Sequence, residues 1–172
     1  MSGRGLVVLC VAVVVLLATP AASALACASA DARPGSVSSR TYTRAVECLV
    51  NAQRAGAGLG GLSHDRRLAR AARRFSSSMV RQRFFDHVAP DGSTLSARAQ
   101  AAGYSGGTLG ETIGWGAGEL ATPAAIVQSW MASPPHHAIL MSRSFDRIGL
   151  GAALGSPEGI GQSATVTADF GG

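Results

Sequence analysis

Apolar positions form helical stripes in the first half of the chain and alternating runs near its end. Tyr42, Ala45, Val46, Leu49 and Val50 recur at three- and four-residue steps, which places them on one helical face. Ser38 and Ser39 can cap that helix, and the glycine-rich run 55–61 ends it. A second helix is predicted to start near Ser63 or Asp65. Its apolar face carries Leu68, Ala71, Ala72, Phe75 and Met79, while Arg66, Arg70, Arg73, Arg74 and Arg81 lie opposite. Asp91-Gly92 marks a turn, after which Ser93 or Thr94 caps a third helix through Ala102, stopped by Gly103. Thr108 to Trp115 alternates loosely and predicts a strand. Thr122 and Pro123 read as the cap and first position of a helix burying Ile126, Val127, Trp130 and Met131. Ser133-Pro134-Pro135 restarts the chain into a short helix. Ile148, Leu150 and Ala152 alternate, as do Ala164, Val166 and Ala168, and a turn between the runs predicts an antiparallel hairpin. Helices first and strands later give one α/β domain of the α+β type, a mixed sandwich rather than a doubly wound sheet.

The N-terminus changes this picture. Arg4 precedes an apolar stretch from Leu6 to Ala18, followed by small residues up to Ala26. A spanning helix needs about 20 apolar residues, so the stretch reads as a secretory signal peptide. Residues 1–26 are assigned to it, with cleavage after Ala24 or Ala26; 27–38 form an N-terminal arm and 39–172 the domain. A retained anchor and lipoprotein processing at Cys27 are the alternatives, although Ala24 stands where a lipobox has a branched aliphatic residue. The expected product is secreted, extracellular or surface-associated, without a transmembrane span, and monomeric. Cys10 leaves with the signal peptide, so Cys27 and Cys48 remain as an even pair. In an oxidising compartment a disulfide between them is the default, and two free thiols the alternative.

All fifteen basic residues are arginine, and the net charge is +5. So modest a balance, with 5% aromatics not interleaved with the arginine stripe, gives no support for nucleic-acid binding. The stripe reads as a solvated face, with an anionic wall polymer or lipid headgroup as the sharper alternative.

Four histidines are present. His64 sits at a helix start and reads as surface or capping. His87 follows Phe84-Phe85-Asp86 and is either a satisfied core residue or a site residue. His136 and His137 are adjacent, and neighbours on a helix point about 100° apart, so one of them faces any given site. Glu111 lies among glycines and apolar residues, where a half-buried carboxylate needs a partner. His87, Glu111 and His136 are thus candidates on three separate elements. There is no zinc-finger spacing, His-Glu-x-x-His helix, Gly-x-Ser-x-Gly elbow, Walker loop or dinucleotide fingerprint.

Several short motifs occur in a familiar order. Asn51 and Arg54 precede Gly58 and Leu62; Phe85-Asp86-His87 and Asp91-Gly92-Ser93 follow; then come Gly110-Glu111-Thr112-Ile113, Trp130 to His137, Phe145 to Gly151, and Asp169-Phe170-Gly171. Across residues 42–171 this order resembles bacterial members of the CAP superfamily, with its SCP-like extracellular domain. The resemblance implies an α-β-α sandwich with a small, mainly antiparallel sheet and a large cleft. Such clefts carry two histidines and two glutamates able to hold a divalent cation. By similarity His87, Glu111 and His136 take three of these positions, and Ser133 stands at the fourth. The implied function is an extracellular binding module whose cleft holds a small-molecule, lipid or cell-surface ligand, or Zn2+ or another divalent cation. The alternatives are a metal-assisted hydrolase, with Glu111 as the catalytic base, and a lipid- or surface-binding protein.

Overall fold

The computed structural model describes residues 27–172. The proposed signal peptide lies outside the described residues. From Cys27 to Val37 the chain runs through tight turns, and Cys27 and Ala30 are buried against the domain. The Ala124 N–H donates to Ala30 O at 2.9 Å. The segment expected as an arm is therefore docked.

Helix α1 spans Ser39–Gly56, and its cap is Ser38, whose hydroxyl accepts from Thr41 N–H at 3.1 Å. Strand β1 is only Ser63–His64. Asp65 then caps helix α2, Arg66–Gln82, by accepting from the N–H groups of Arg67 and Leu68. Helix α3 is Leu95–Ala101 with Thr94 as cap, and strand β2 is Leu109–Ala117. A 3-10 turn over Gly118–Ala121 leads to α4, Pro123–Ala132, capped by Thr122 as expected. Helix α5, Pro134–Leu140, follows its proline pair, and strands β3, Arg147–Leu154, and β4, Ser163–Gly171, close the chain.

The sheet order is β1-β3-β4-β2. The predicted hairpin is present, with β3 and β4 antiparallel, and β2 pairs antiparallel with the other side of β4. Only the short β1 is parallel to its neighbour. One sheet face buries Ile148, Leu150, Val166, Ala168 and Phe170 against α1 and α4, around Val46, Val50 and Trp130. The other face lies under α2. There Gly149 and Gly151 present bare backbone to the helix, and any Cβ at either position would collide with the backbone of Ala69 or Arg73. The result is the expected α-β-α sandwich. On the α2 side Ser76 donates to Gly151 O at 3.1 Å and pairs with the Thr167 hydroxyl at 2.8 Å, which satisfies polar groups that would otherwise be costly to bury.

The Asn-x-x-Arg motif of α1 has a structural role. Asn51 donates to Leu62 O and accepts from Leu62 N–H, as a strand neighbour would. Arg54 is 3% exposed and donates to the carbonyls of Gly60, Leu140 and Ser142 at 2.7–2.9 Å. One guanidinium thus ties the end of α1 to the turn between α5 and β3.

Cys27 and Cys48 form a disulfide, with Cα atoms 5.8 Å apart and a sequence separation of 21. It joins the docked segment to α1. Closing a loop of this length is worth about 3 kcal/mol in the chain-entropy view. Intact mass with and without reductant should differ by two hydrogen atoms, and a Cys27→Ser, Cys48→Ser protein should melt earlier by about 6–12 °C. Two alkylatable thiols in the unreduced exported protein would contradict the bond.

Candidate functional site

The site begins where α2 stops. Arg83 adopts the left-handed region (φ 54°), and the chain reverses so that Phe84 packs on Phe75 with ring centroids 5.8 Å apart. The Asp86 carboxylate accepts from Val88 N–H at 2.9 Å, and Gly92 supplies the positive φ of the next turn. This loop carries His87 to Glu111 on β2. The His87 Nδ1 lies 2.8 Å from Glu111 Oε1, with the Glu111 side chain 3% exposed and that of His87 53% exposed. Two of the three predicted site residues thus meet directly.

The second oxygen of Glu111 has a partner not anticipated from the sequence. Arg98, on α3, donates to Glu111 Oε2 at 2.6 Å and is itself 10% exposed. The same guanidinium donates to Ser93 O at 2.8 Å and His87 O at 3.0 Å, and lies over the Phe75 ring, 3.4 Å from its centroid. Arg98 therefore holds both the loop that bears His87 and the carboxylate that His87 contacts.

Asp169 is the other unexpected member. Strand register sets it directly opposite Glu111. It is fully buried, and neither of its oxygens has a hydrogen-bond partner of normal geometry. Burial first, and then the Glu111 charge, push its carboxyl well above the usual carboxylate range. Arg98 and His87 sit on the Glu111 side of this pair, and Asp169 faces no cation directly. A sequence signal existed: Asp169 follows Thr165 and Thr167 on the strand face opposite Ala164, Val166 and Ala168. That polar face looks solvated until α2 is placed over it. Arg98 left no comparable signal.

His136 lies on α5, which packs against β2, and Ile139 of the same helix faces Gly110. It is half-buried while His137 is exposed, and no hydrogen bond among the described residues joins it to His87 or Glu111. Among the described residues the His136 side chain has no hydrogen-bond partner. Burial, and then the charge of His87, lower its pKa. His87 is shifted the other way, raised chiefly by its hydrogen bond to Glu111.

Two imidazoles and a carboxylate suit zinc in ligand type. Both Glu111 oxygens are taken up by His87 and Arg98, so the carboxylate is not free as a ligand, while His87 Nε2 and the His136 ring remain as nitrogen donors. Among the described residues no three His, Cys, Asp or Glu side chains gather to hold a metal ion.

Residues 48–167 match the CAP family, described as the Cysteine-rich secretory protein family, and the chain belongs to it. It is 35% identical over 118 residues to the uncharacterized protein YkwD of Bacillus subtilis, covering 69% of this chain and 44% of that one. The chain therefore spans less than half the length of this relative. Its fold is similar to an extracellular SCP-domain protein from Bacillus anthracis, with TM-score 0.63 and 23% identity, over 80% of this chain and 44% of that one. It is also similar to an outer surface protein from Borrelia burgdorferi, with TM-score 0.68 and 18% identity, over 78% and 95% of the two chains. These neighbours are described as extracellular or outer-surface proteins. No helix among the described residues is long and apolar enough to cross a membrane.

Proposed function

We propose that this CAP domain is an exported binding module whose cleft presents His87 to a small ligand without a metal ion. Arg98 supplies the positive charge that Glu111 requires. The observation that carries this reading is the 2.6 Å contact between Arg98 and Glu111, with both side chains nearly buried. With Oε1 against His87 and Oε2 held by Arg98, the Glu111 carboxylate has no free oxygen with which to act as a base. That places the metal-assisted hydrolase second. With Nδ1 held by Glu111, the His87 Nε2 edge is directed away from the carboxylate and available to a ligand. Exposed Phe85 and Val88 on the same loop give that ligand an apolar neighbour. The apolar stretch at Leu6 to Ala18 supports export by a signal peptide.

The two imidazoles should titrate on opposite sides of the ordinary histidine value of about 6.5. His87 is raised, so its contribution to stability is full below the ordinary value and fades as pH rises through its folded pKa. His136 is lowered, so its contribution is present above the ordinary value and fades as pH falls through its folded pKa. Between the two folded values His87 is charged and His136 neutral. NMR titration should show this order, and Glu111→Gln should bring His87 back down. One equivalent of zinc should leave both His87 and His136 resonances in place. Stoichiometric zinc uptake that moves both resonances, and is lost in His87→Ala, would overturn the metal-free reading.

A further inference from the structure

At the opposite edge of the sheet lies a second site, a groove of about 750 Å³ between α1 and α2. It shares no residue with the His87–Glu111 cluster. Arg40 and Arg44 line it from α1, and Arg66, Arg70 and Arg73 line it from α2. The spacing on α2, at i, i+4 and i+7, puts its three arginines on one ridge. All five are exposed, and among the described residues none is paired with a carboxylate. Among the described residues the acid in the lining is Glu47, whose Oε2 lies 2.9 Å from His64 Nδ1. Five like charges facing one groove, against the single carboxylate of Glu47 that His64 already contacts, repel one another, and the arrangement favours an anion.

The floor adds a second requirement. Strand β1 pairs with β3 only at Arg147 and Ile148. Ser63 N–H donates to Asp146 O and Asp65 N–H to Ile148 O, each at 2.8 Å. Strand geometry repeats every two residues, so Leu150 and Ala152 aim their N–H and C=O groups at the same side. There β1 has ended and α2 has begun. Leu150, 4% exposed, and half-buried Ala152 line the groove, so its floor is a sheet edge that β1 leaves unpaired, recessed between the two helices.

We propose that this groove binds an extended acidic peptide, which adds as a short strand to the free edge of β3. A phosphate polymer would satisfy the arginines but has no N–H for the outward carbonyls. A peptide backbone satisfies both. Successive side chains of an added strand point to opposite faces, one toward the α1 arginines and the next toward those of α2. The preferred ligand is therefore a run of consecutive Glu or Asp residues rather than alternating ones. Positions 150–152 span about 7 Å from first to last Cα, which fits a three-residue core of pairing.

The test uses the purified disulfide-bonded protein and three probes: a capped hexaglutamate peptide, the same peptide N-methylated at alternate backbone amides, and inorganic polyphosphate. Hexaglutamate should bind and shift the Leu150 and Ala152 amide resonances while leaving His87 unmoved. N-methylation, which keeps the charge and removes pairing, should weaken binding at least tenfold. Arg44→Glu with Arg70→Glu should do the same, in a protein whose unchanged melting temperature reports intact folding. Equal binding of the methylated peptide, or polyphosphate binding tighter than hexaglutamate, would overturn strand addition in favour of a simple anion surface. No shift at Leu150 and Ala152 would overturn it as well.

Discussion

Gly151→Ala is expected to lose a large share of the stability of the fold. A Cβ at this position would run into the backbone of Ala72 and Arg73 in α2 rather than into a movable side chain. Gly149, two residues earlier on the same face, meets Ala69 in the same way. The helix cannot lift off locally, because Leu68, Ala72 and Phe75, all buried, are seated by the same contact. Overpacking in a core costs about 1–3 kcal/mol when side chains can yield, and here two rigid backbones must separate. We expect a loss of about 3 kcal/mol or more, from a total stability of about 5–15 kcal/mol for an ordinary domain. In a thermal melt followed by circular dichroism this is a drop of about 10 °C, or failure to fold. Gly56→Ala is the control. It ends α1 with open space around it, so the same chemical change should be neutral or slightly stabilising. If both variants melt like the parent, α2 is not seated on β3 as described.

Phe75→Ala is expected to cost about 3–5 kcal/mol, the range for truncating a buried aromatic ring. Phe75 is 1% exposed and packs with Met79, Ala89, Ile113 and Phe84. Its ring also carries the Arg98 guanidinium, a contact worth about 0.5–2 kcal/mol in a partly desolvated setting. The variant should therefore do two things. It should melt well below the parent, and in the surviving folded fraction the His87 resonance should broaden or shift, because Arg98 holds the loop that bears it. Arg70→Ala, on the opposite face of the same helix, should stay within about 0.5 kcal/mol. Its guanidinium makes a long 3.3 Å contact with Ala102 O. Equal shifts in denaturation midpoint for the two variants would mean that the phase of α2 is wrong.

Much of the architecture was legible in the residues themselves. The stripes of α1 and α2, the Thr122-Pro123 start of α4 and the alternation of β3 and β4 are local patterns, and local steric rules act on them wherever the chain goes. Helical geometry alone says that His136 and His137 point in different directions, though not which of them is the more buried. His87 and Glu111 could be named in advance because each stood out chemically against its neighbours. That Glu111 would be held by Arg98 rather than by a second histidine could not be read there. The third helix bears no mark saying which strand its arginine will reach, and the contact exists only once α3 is folded against the loop before it. Asp169 looked like one more polar residue on a strand. Only the register of β2 on β4 puts it opposite Glu111, and only the covering helix removes the water that would have kept it charged. Periodicity reports which face of an element is apolar. Which charges meet, and which lose their solvent, depends on long-range pairing that no local pattern encodes.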